Sequence, residues 1–146
     1  MKIITVDDQN IKEFVELSHL LFPEETYDEL LDIYSKAITS DKEMCYIYQV
    51  DDKAAGMLHL SIRSDYVNGT STSPVVYIEG IYVLQEYRKH GVGRKFLDFA
   101  ESIAKEKGIK QLASDCFIDN IASERFHKSC GFREEERVIC FVKDVD

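Results

Sequence analysis

Residues 75–96 read VVYIEGIYVLQEYRKHGVGRKF. This stretch decides the fold, because a long β-rich run passes through a glycine-containing basic loop into a helix. Residues 75–84 are dominated by β-branched and aromatic side chains, which favours a strand. Gly80 in the middle of that run predicts a bulge or a close approach of another backbone. Beyond it, Val92, Phe96, Ala100, Ile103 and Ala104 lie on one helical stripe, and Gly108 is placed to stop the helix. In EYRKHGVGRKF, residues 86–96, five of the eleven side chains are Arg, Lys or His. A helix start presents unpaired N–H groups carrying partial positive charge, which makes this junction an anion site. Gly91 and Gly93 remove side chains so that a phosphate approaches the backbone, while Arg88, Lys89 and Arg94 add charge. The competing structural reading is an ordinary glycine helix start beside a solvated basic patch.

The elements on either side alternate. Upstream, residues 2–6 read as a strand, and Asn10 is placed to cap a helix that ends near Phe22-Pro23. A second helix is predicted over Tyr27–Ile38. Then MCYIYQV and AAGMLHLSIR read as strands joined by a turn at Asp51-Asp52-Lys53, and YVNGTSTSP as a turn-rich loop. In the second of these strands Gly56, Leu58, Leu60 and Ile62 alternate with Met57, His59, Ser61 and Arg63, as in a sheet with one drier face. Downstream, QLASDCFI reads as a strand, NIASERFHKSC as a helix ending at Gly131, and RVICFVK as a closing strand. The predicted order is β-α-α-β-β-β-α-β-α-β, an α/β (α+β) domain with helices covering a mixed central sheet.

Composition narrows the function. The chain has 146 residues, enough for one domain spanning 1–146 with a single core. Its formal net charge of −9 argues against a general nucleic-acid binder and suits a cationic partner. No apolar run is long enough to span a membrane, and MKIITVDDQNIKEF lacks the features of a signal peptide, so a cytoplasmic location is expected. Cys45, Cys116, Cys130 and Cys140 have no zinc-site spacing; lying in apolar segments, they read as buried free thiols. His19, His59 and His90 have no metal-like spacing, and no metal is assigned. The basic loop lacks GxxxxGK[ST], so it is not a nucleoside-triphosphate P-loop. It also lacks the third glycine of a Rossmann fingerprint and follows several strands, not the first.

Arg88-Lys89-His90-Gly91-Val92-Gly93 resembles the acetyl-CoA pyrophosphate loop of the GNAT N-acetyltransferase superfamily, and the element order resembles that acyl-CoA N-acyltransferase fold. The resemblance implies acetyl-CoA as co-substrate and a splayed strand before the loop, where Ile81, Tyr82 and Val83 would contact the pantetheine and thioester. Asn120, followed by a helix and Cys130-Gly131-Phe132, resembles the second family motif, whose asparagine touches the pantetheine arm. SIRSDYVNGTSTSPVVYIEGIYVL, ASDCFIDN and GFREEERVICF resemble more closely the short aminoglycoside 6′-N-acetyltransferases, over nearly the whole chain.

That likeness implies substrate contacts at Phe22, Tyr66, Glu79, Asp115 and Glu136. The chain departs from the pattern at Phe22, where relatives have tryptophan, and at Glu25, where a histidine can occur; both bear on substrate preference. The reaction requires a neutral amine to attack a thioester carbonyl, so a carboxylate near the amine is needed to accept a proton. Glu79, beside the expected thioester, is the first candidate and Asp115 the second, the latter more as a substrate contact. A backbone N–H of Tyr82 or Val83 would serve the oxyanion. His127 stands where many superfamily members have a proton-donating tyrosine, which makes it a candidate donor to the leaving thiolate; a structural helix histidine is the competing reading. Homodimer formation through the C-terminal strands is implied by the resemblance alone. Two other functions stay open: acetylation of another cationic amine, such as a polyamine, and acetyl-CoA sensing without catalysis.

Overall fold

In the computed structural model, which describes residues 2–146, the chain forms β1 (Lys2–Thr5), α1 (Ile11–Leu21), α2 (Tyr27–Ala37), β2 (Glu43–Val50), β3 (Lys53–Arg63), β4 (Val75–Val83), α3 (Val92–Glu106), β5 (Leu112–Ala113) and α4 (Ile121–Ser129). Met1, which opens the segment read for a signal peptide, lies outside the described residues. The sheet order is β1-β2-β3-β4-β5, antiparallel up to β4 and parallel between β4 and β5.

Strand alternation builds two cores from one sheet. Tyr48, Leu58, Leu60, Val76 and Ile78 face Phe96, Ala100 and Ile103 of α3. Cys45, Ile47 and Met57 face Phe14 and Val15 of α1 and Leu30 and Tyr34 of α2. Phe14 and Phe96, one on each side, are fully buried. Each such ring contributes about 1.5–3 kcal/mol by leaving water.

The helix starts differ in how they are closed. At α2 Thr26 and Glu29 form a reciprocal capping box, with Thr26 Oγ1 accepting from the Glu29 N–H and Glu29 Oε2 from the Thr26 N–H. Asn10 occupies the N-cap position of α1, but its side chain does not cap the helix. Its Oδ1 accepts from the Asp7 N–H and its Nδ2 donates to the Thr5 carbonyl, which ties the preceding turn back to β1.

Two expectations for the C-terminal third are corrected. The strand expected over QLASDCFI reduces to Leu112–Ala113, because β4 and β5 pair only at Val76–Leu112 and Tyr77–Ala113. RVICFVK forms no strand; it has β-type side chains but no strand partner among the described residues. The cysteines are free as expected, but only Cys45 is buried; Cys130 is half-buried, and Cys116 and Cys140 are exposed on these unpaired segments. Burial pushes the Cys45 thiol up to about 12, so it is inert.

Candidate active site

The site begins with one extra residue in β4. His59 of β3 opposes Gly80, whereas its neighbour Leu60 opposes Ile78, so Glu79 has no partner of its own. This bulge reverses the in–out alternation. Before it, Val76 and Ile78 face α3; after it, Ile81 and Val83 do. Glu79 and Gly80 therefore both turn toward the α1–α2 side. A Cβ on Gly80 would stand 3.3 Å from Leu21 Cδ2 and 3.7 Å from Phe22 Cε2, so the end of α1 packs closely on the bulge. Phe22 is thus brought beside it.

Glu79 is held by donors from β3. Its Oε2 accepts from Ser61 Oγ at 2.6 Å, Arg63 Nε at 2.9 Å and Arg63 Nη2 at 2.7 Å. Its Oε1 accepts only from Arg63 Nη2, at 2.8 Å, and keeps the freer acceptor site. The Arg63 guanidinium also lies 3.5 Å from the centroid of the Tyr77 ring. The Tyr77 hydroxyl donates in a short hydrogen bond to Asp115 Oδ2. Burial first, then this bond to a carboxylate, push the Tyr77 phenol well above its ordinary range, so it remains a donor. Glu79 and Asp115 are thereby linked through Arg63 and Tyr77. Sequence reading named the two carboxylates and missed the linkage. The available signal was Ser61 and Arg63, polar residues on the same β3 face as Met57 and His59.

Past Tyr77, β4 is unpaired on its β5 side, which opens the cleft expected beside Ile81, Tyr82 and Val83. The Leu84 N–H donates to the Ala55 carbonyl. By antiparallel alternation Tyr82 also directs its backbone groups at β3, while Ile81 and Val83 direct theirs into the cleft. The oxyanion donor expected from Tyr82 or Val83 is therefore restricted to Val83, with Ile81 as its counterpart one repeat earlier.

At the basic loop Gly91 is left-handed, with φ of 82°, and open space surrounds its Cβ position. The first backbone bond of α3 runs from the Lys95 N–H to the Gly91 carbonyl. The N–H groups of Val92, Gly93 and Arg94 lie ahead of it, without intrahelical acceptors. Lys89 also takes a positive φ, 65°. Gly93 has a different reason from the one expected: a Cβ there would stand 2.8 Å from Phe126 Cε1, so its absence lets α4 pack on α3. The two arginines are also committed. Arg88 Nε donates to the Val83 carbonyl at 2.8 Å, and Arg94 Nη2 to the Ser129 carbonyl at 2.7 Å. Lys89 and His90 remain exposed at the loop.

Asn120 caps α4, its Oδ1 accepting from the Ser123 N–H at 3.1 Å. His127 has a partner within the chain at each ring nitrogen. Its Nδ1 donates to the Ser123 carbonyl at 2.7 Å, since a carbonyl oxygen only accepts. Its Nε2 lies 2.8 Å from Ser114 Oγ. With the ring edge-on to Phe126 and Phe132, it ties α4 to the end of β5, the structural role that competes with proton donation.

The remaining substrate candidates lie at the rim. Tyr66 is exposed on its loop. Glu25 is half-buried, and a hydrogen bond to the Glu29 carboxylate, with burial and the Glu29 and Glu24 charges adding less, raises its pKa. Glu136 is exposed in the C-terminal segment and is not drawn to Glu79 by any contact within the chain; its neighbour Glu135 lies where a Cβ on Gly69 would be, 2.6 Å away. Among the described residues no cluster of three or more His, Cys, Asp or Glu is arranged to hold a metal, and no helix is long and apolar enough to cross a membrane.

A bulged strand carrying a clamped carboxylate, a splayed neighbour and a glycine-started helix is the architecture of an acyl-CoA-dependent N-acyltransferase. The chain belongs to the acetyltransferase (GNAT) family, whose model matches residues 11–132. It is 36% identical over 146 residues, all of both chains, to an aminoglycoside N(6′)-acetyltransferase type 1 from Acinetobacter haemolyticus. A crystal structure of an aminoglycoside antibiotic 6′-N-acetyltransferase from that organism superposes with a TM-score of 0.93 at 34% identity, covering 100% of both chains. The structure of AAC(6′)-Iy in complex with a bisubstrate analogue, CoA-S-monomethyl-acetylneamine, superposes with a TM-score of 0.94 at 33% identity, covering 99% of this chain and 98% of the other.

Proposed function

We propose that this protein is an aminoglycoside 6′-N-acetyltransferase that transfers acetyl from acetyl-CoA to the 6′-amine by direct attack in a ternary complex. The observation that carries the reading is Glu79, an unpaired bulge residue held where the sheet splays. The full-length similarity to named 6′-acetyltransferases supports the acceptor class. The formal charge of −9 favours encounter with a polycation.

In this reading the pyrophosphate of acetyl-CoA meets the N–H groups of Val92, Gly93 and Arg94, with Lys89 and His90 at the rim. The acyl arm lies along Ile81 and Val83, near Asn120. The Val83 N–H faces the developing oxyanion, worth about 3–4 kcal/mol when such a donor is well placed. Glu79 Oε1, directly or through one water, accepts the proton of the attacking amine. Phe22, Glu25, Tyr66 and Asp115 bound the aminoglycoside. We assign the exposed run Val138–Val145 to pairing with a second copy of the chain, which would also seat Glu136. The free cysteines suit a reducing cytoplasm.

Thiol release from acetyl-CoA with kanamycin or tobramycin, set against polyamines and a no-acceptor control, tests the reading. Release with the aminoglycosides is expected; release with polyamines alone would point to another cationic amine. Tight acetyl-CoA binding without release to either would leave only a sensor. Glu79→Gln should lower kcat by about a hundredfold or more while acetyl-CoA binding is unchanged.

A further inference from the structure

The carboxylate read as the proton acceptor does not stand alone: both its oxygens are bound by the Arg63 guanidinium, whose flat face covers Tyr77. A bidentate arginine of this kind is permanently charged, and the pair as a whole is electrically neutral. An uncompensated carboxylate would hold an approaching amine as its ammonium ion, the form that cannot attack. A carboxylate already matched by a guanidinium gives that ammonium no net attraction, while Oε1 still offers a place for a proton.

We propose that Arg63 is a positioning and selecting residue, which offsets the charge of Glu79 beside the reacting nitrogen and so favours the amine in its neutral, nucleophilic form. The inference rests on the reading of Glu79 as facing the reacting amine. The division of labour it implies is that polycation attraction falls to the unpaired acidic groups, Asp115 and the outer surface, while beside the Glu79–Arg63 pair the ammonium form of the amine is less favoured. Arg63 holds the boundary between the two, its side chain 41% exposed while that of Glu79 is 24% exposed.

The surroundings do not supply a substitute charge. From β4 and the end of β5, Tyr77 and Asp115 share one hydrogen bond. Behind the pair, Tyr34 of α2 is kept neutral by burial, its phenol pushed up to about 12. His59 lies 2.8 Å from Glu43, which already faces it from β2. Beside Arg63 the mouth holds Lys42, Asp65 and Tyr66, in a hollow of about 490 Å³. Lys42 and Asp65 are both exposed and of opposite sign, so Arg63 is the cation in direct contact with Glu79.

The test is the pH profile of kcat for tobramycin acetylation at saturating acetyl-CoA, for the wild type, Arg63→Met, Arg63→Lys and Glu79→Gln. With the guanidinium gone, Glu79 stabilises the ammonium form. In Arg63→Met the acidic limb should then move up by about one pH unit, since a neighbouring charge shifts a pKa by that order. At pH 7 kcat should fall by about tenfold and recover to within about twofold near pH 9, while KM for tobramycin stays level or falls. Arg63→Lys, which keeps the charge and loses the fork, should keep the wild-type limb with a lower plateau. A uniform loss at every pH in Arg63→Met, or a raised KM with an unmoved limb, would overturn the inference, because a merely structural ion pair predicts either. Melting curves and acetyl-CoA titration confirm that each variant is folded and loaded. Glu79→Gln separates the two levels. If it is slow while Arg63→Met has an unmoved limb, only the role of Arg63 is lost; if it turns over like wild type, the reading of Glu79 falls and this inference with it.

Discussion

His127 illustrates how a single hydrogen-bond pair decides between chemistry and architecture. A proton donor to a leaving thiolate needs an N–H aimed at open space. Here Nδ1 donates to the Ser123 carbonyl and Nε2 is met by Ser114 Oγ, so the ring joins α4 to the strand end that carries Asp115. The expected result for His127→Leu is a structural one. Losing the two bonds should cost roughly 1–3 kcal/mol in urea or guanidinium unfolding, from the partners left without their bonds. Turnover should stay within about threefold of wild type, with the pH profile of kcat unmoved. A large kcat loss with unchanged stability would restore the proton-donor role. Glu79 is the opposite case. Its side chain can be aimed at the reaction because the bulge frees it from strand pairing, and its two β3 partners keep it from rotating away.

Among the elements, α3 receives the Phe126 ring of α4 at Gly93, where a Cβ would collide with it. The Cβ introduced by Gly93→Ala would fall 2.8 and 2.9 Å from the Phe126 ring, so α4 must shift or the ring must turn. Overpacking of this kind costs about 1–3 kcal/mol. Because Asn120 starts α4 and the α3 start is the proposed phosphate cradle, the same substitution should weaken acetyl-CoA binding, measured by calorimetry, more than it weakens aminoglycoside binding. Gly91→Ala makes a useful contrast, since it meets open space but a left-handed φ of 82°. These elements were largely legible in the sequence: the helix stripe from Val92 to Ala104, the turn at residues 51–53 and the bulge near Gly80 all follow from local pattern. The reasons were less legible. GxG spacing does not reveal that one glycine serves the loop and the other serves Phe126, since that depends on a helix thirty-odd residues downstream. Arg63 and Ser61 read as the wetter face of a strand, and only the fold brings Glu79 against them. The strand expected over 111–118 is cut to Leu112–Ala113 and the one expected over 137–143 does not form, for one physical reason. Side-chain propensity describes what a segment prefers, whereas a strand also needs a neighbour to bond.

For the molecule as a whole the open question is what covers the C-terminal segment. Val138, Ile139, Phe141, Val142 and Val145 are 58–94% exposed in a run that follows the α4 stop at Gly131. Apolar side chains in near-continuous series suit a strand buried on both faces, and leaving them in water forfeits the stabilisation that burial would give. The sheet also ends at a two-residue β5, leaving an edge that the chain itself does not pair. An exposed apolar segment and an unpaired edge in one chain are complementary, and a two-fold pairing would satisfy both in each copy. Full-length protein should therefore sediment as a dimer at micromolar concentration, with a melting temperature that rises with protein concentration. Removal of residues 138–146 should give a monomer whose melting temperature no longer depends on concentration. Its acetyl-CoA affinity should be nearly intact, because Gly91, Val92 and Val83 are remote in sequence from the deleted run and held by α3 and β3. Its KM for aminoglycoside should rise, because Glu136 would lose the pairing that seats it. A full-length chain that sediments as a monomer at these concentrations would refute the pairing, and with it the placement of Glu136 at the substrate lip.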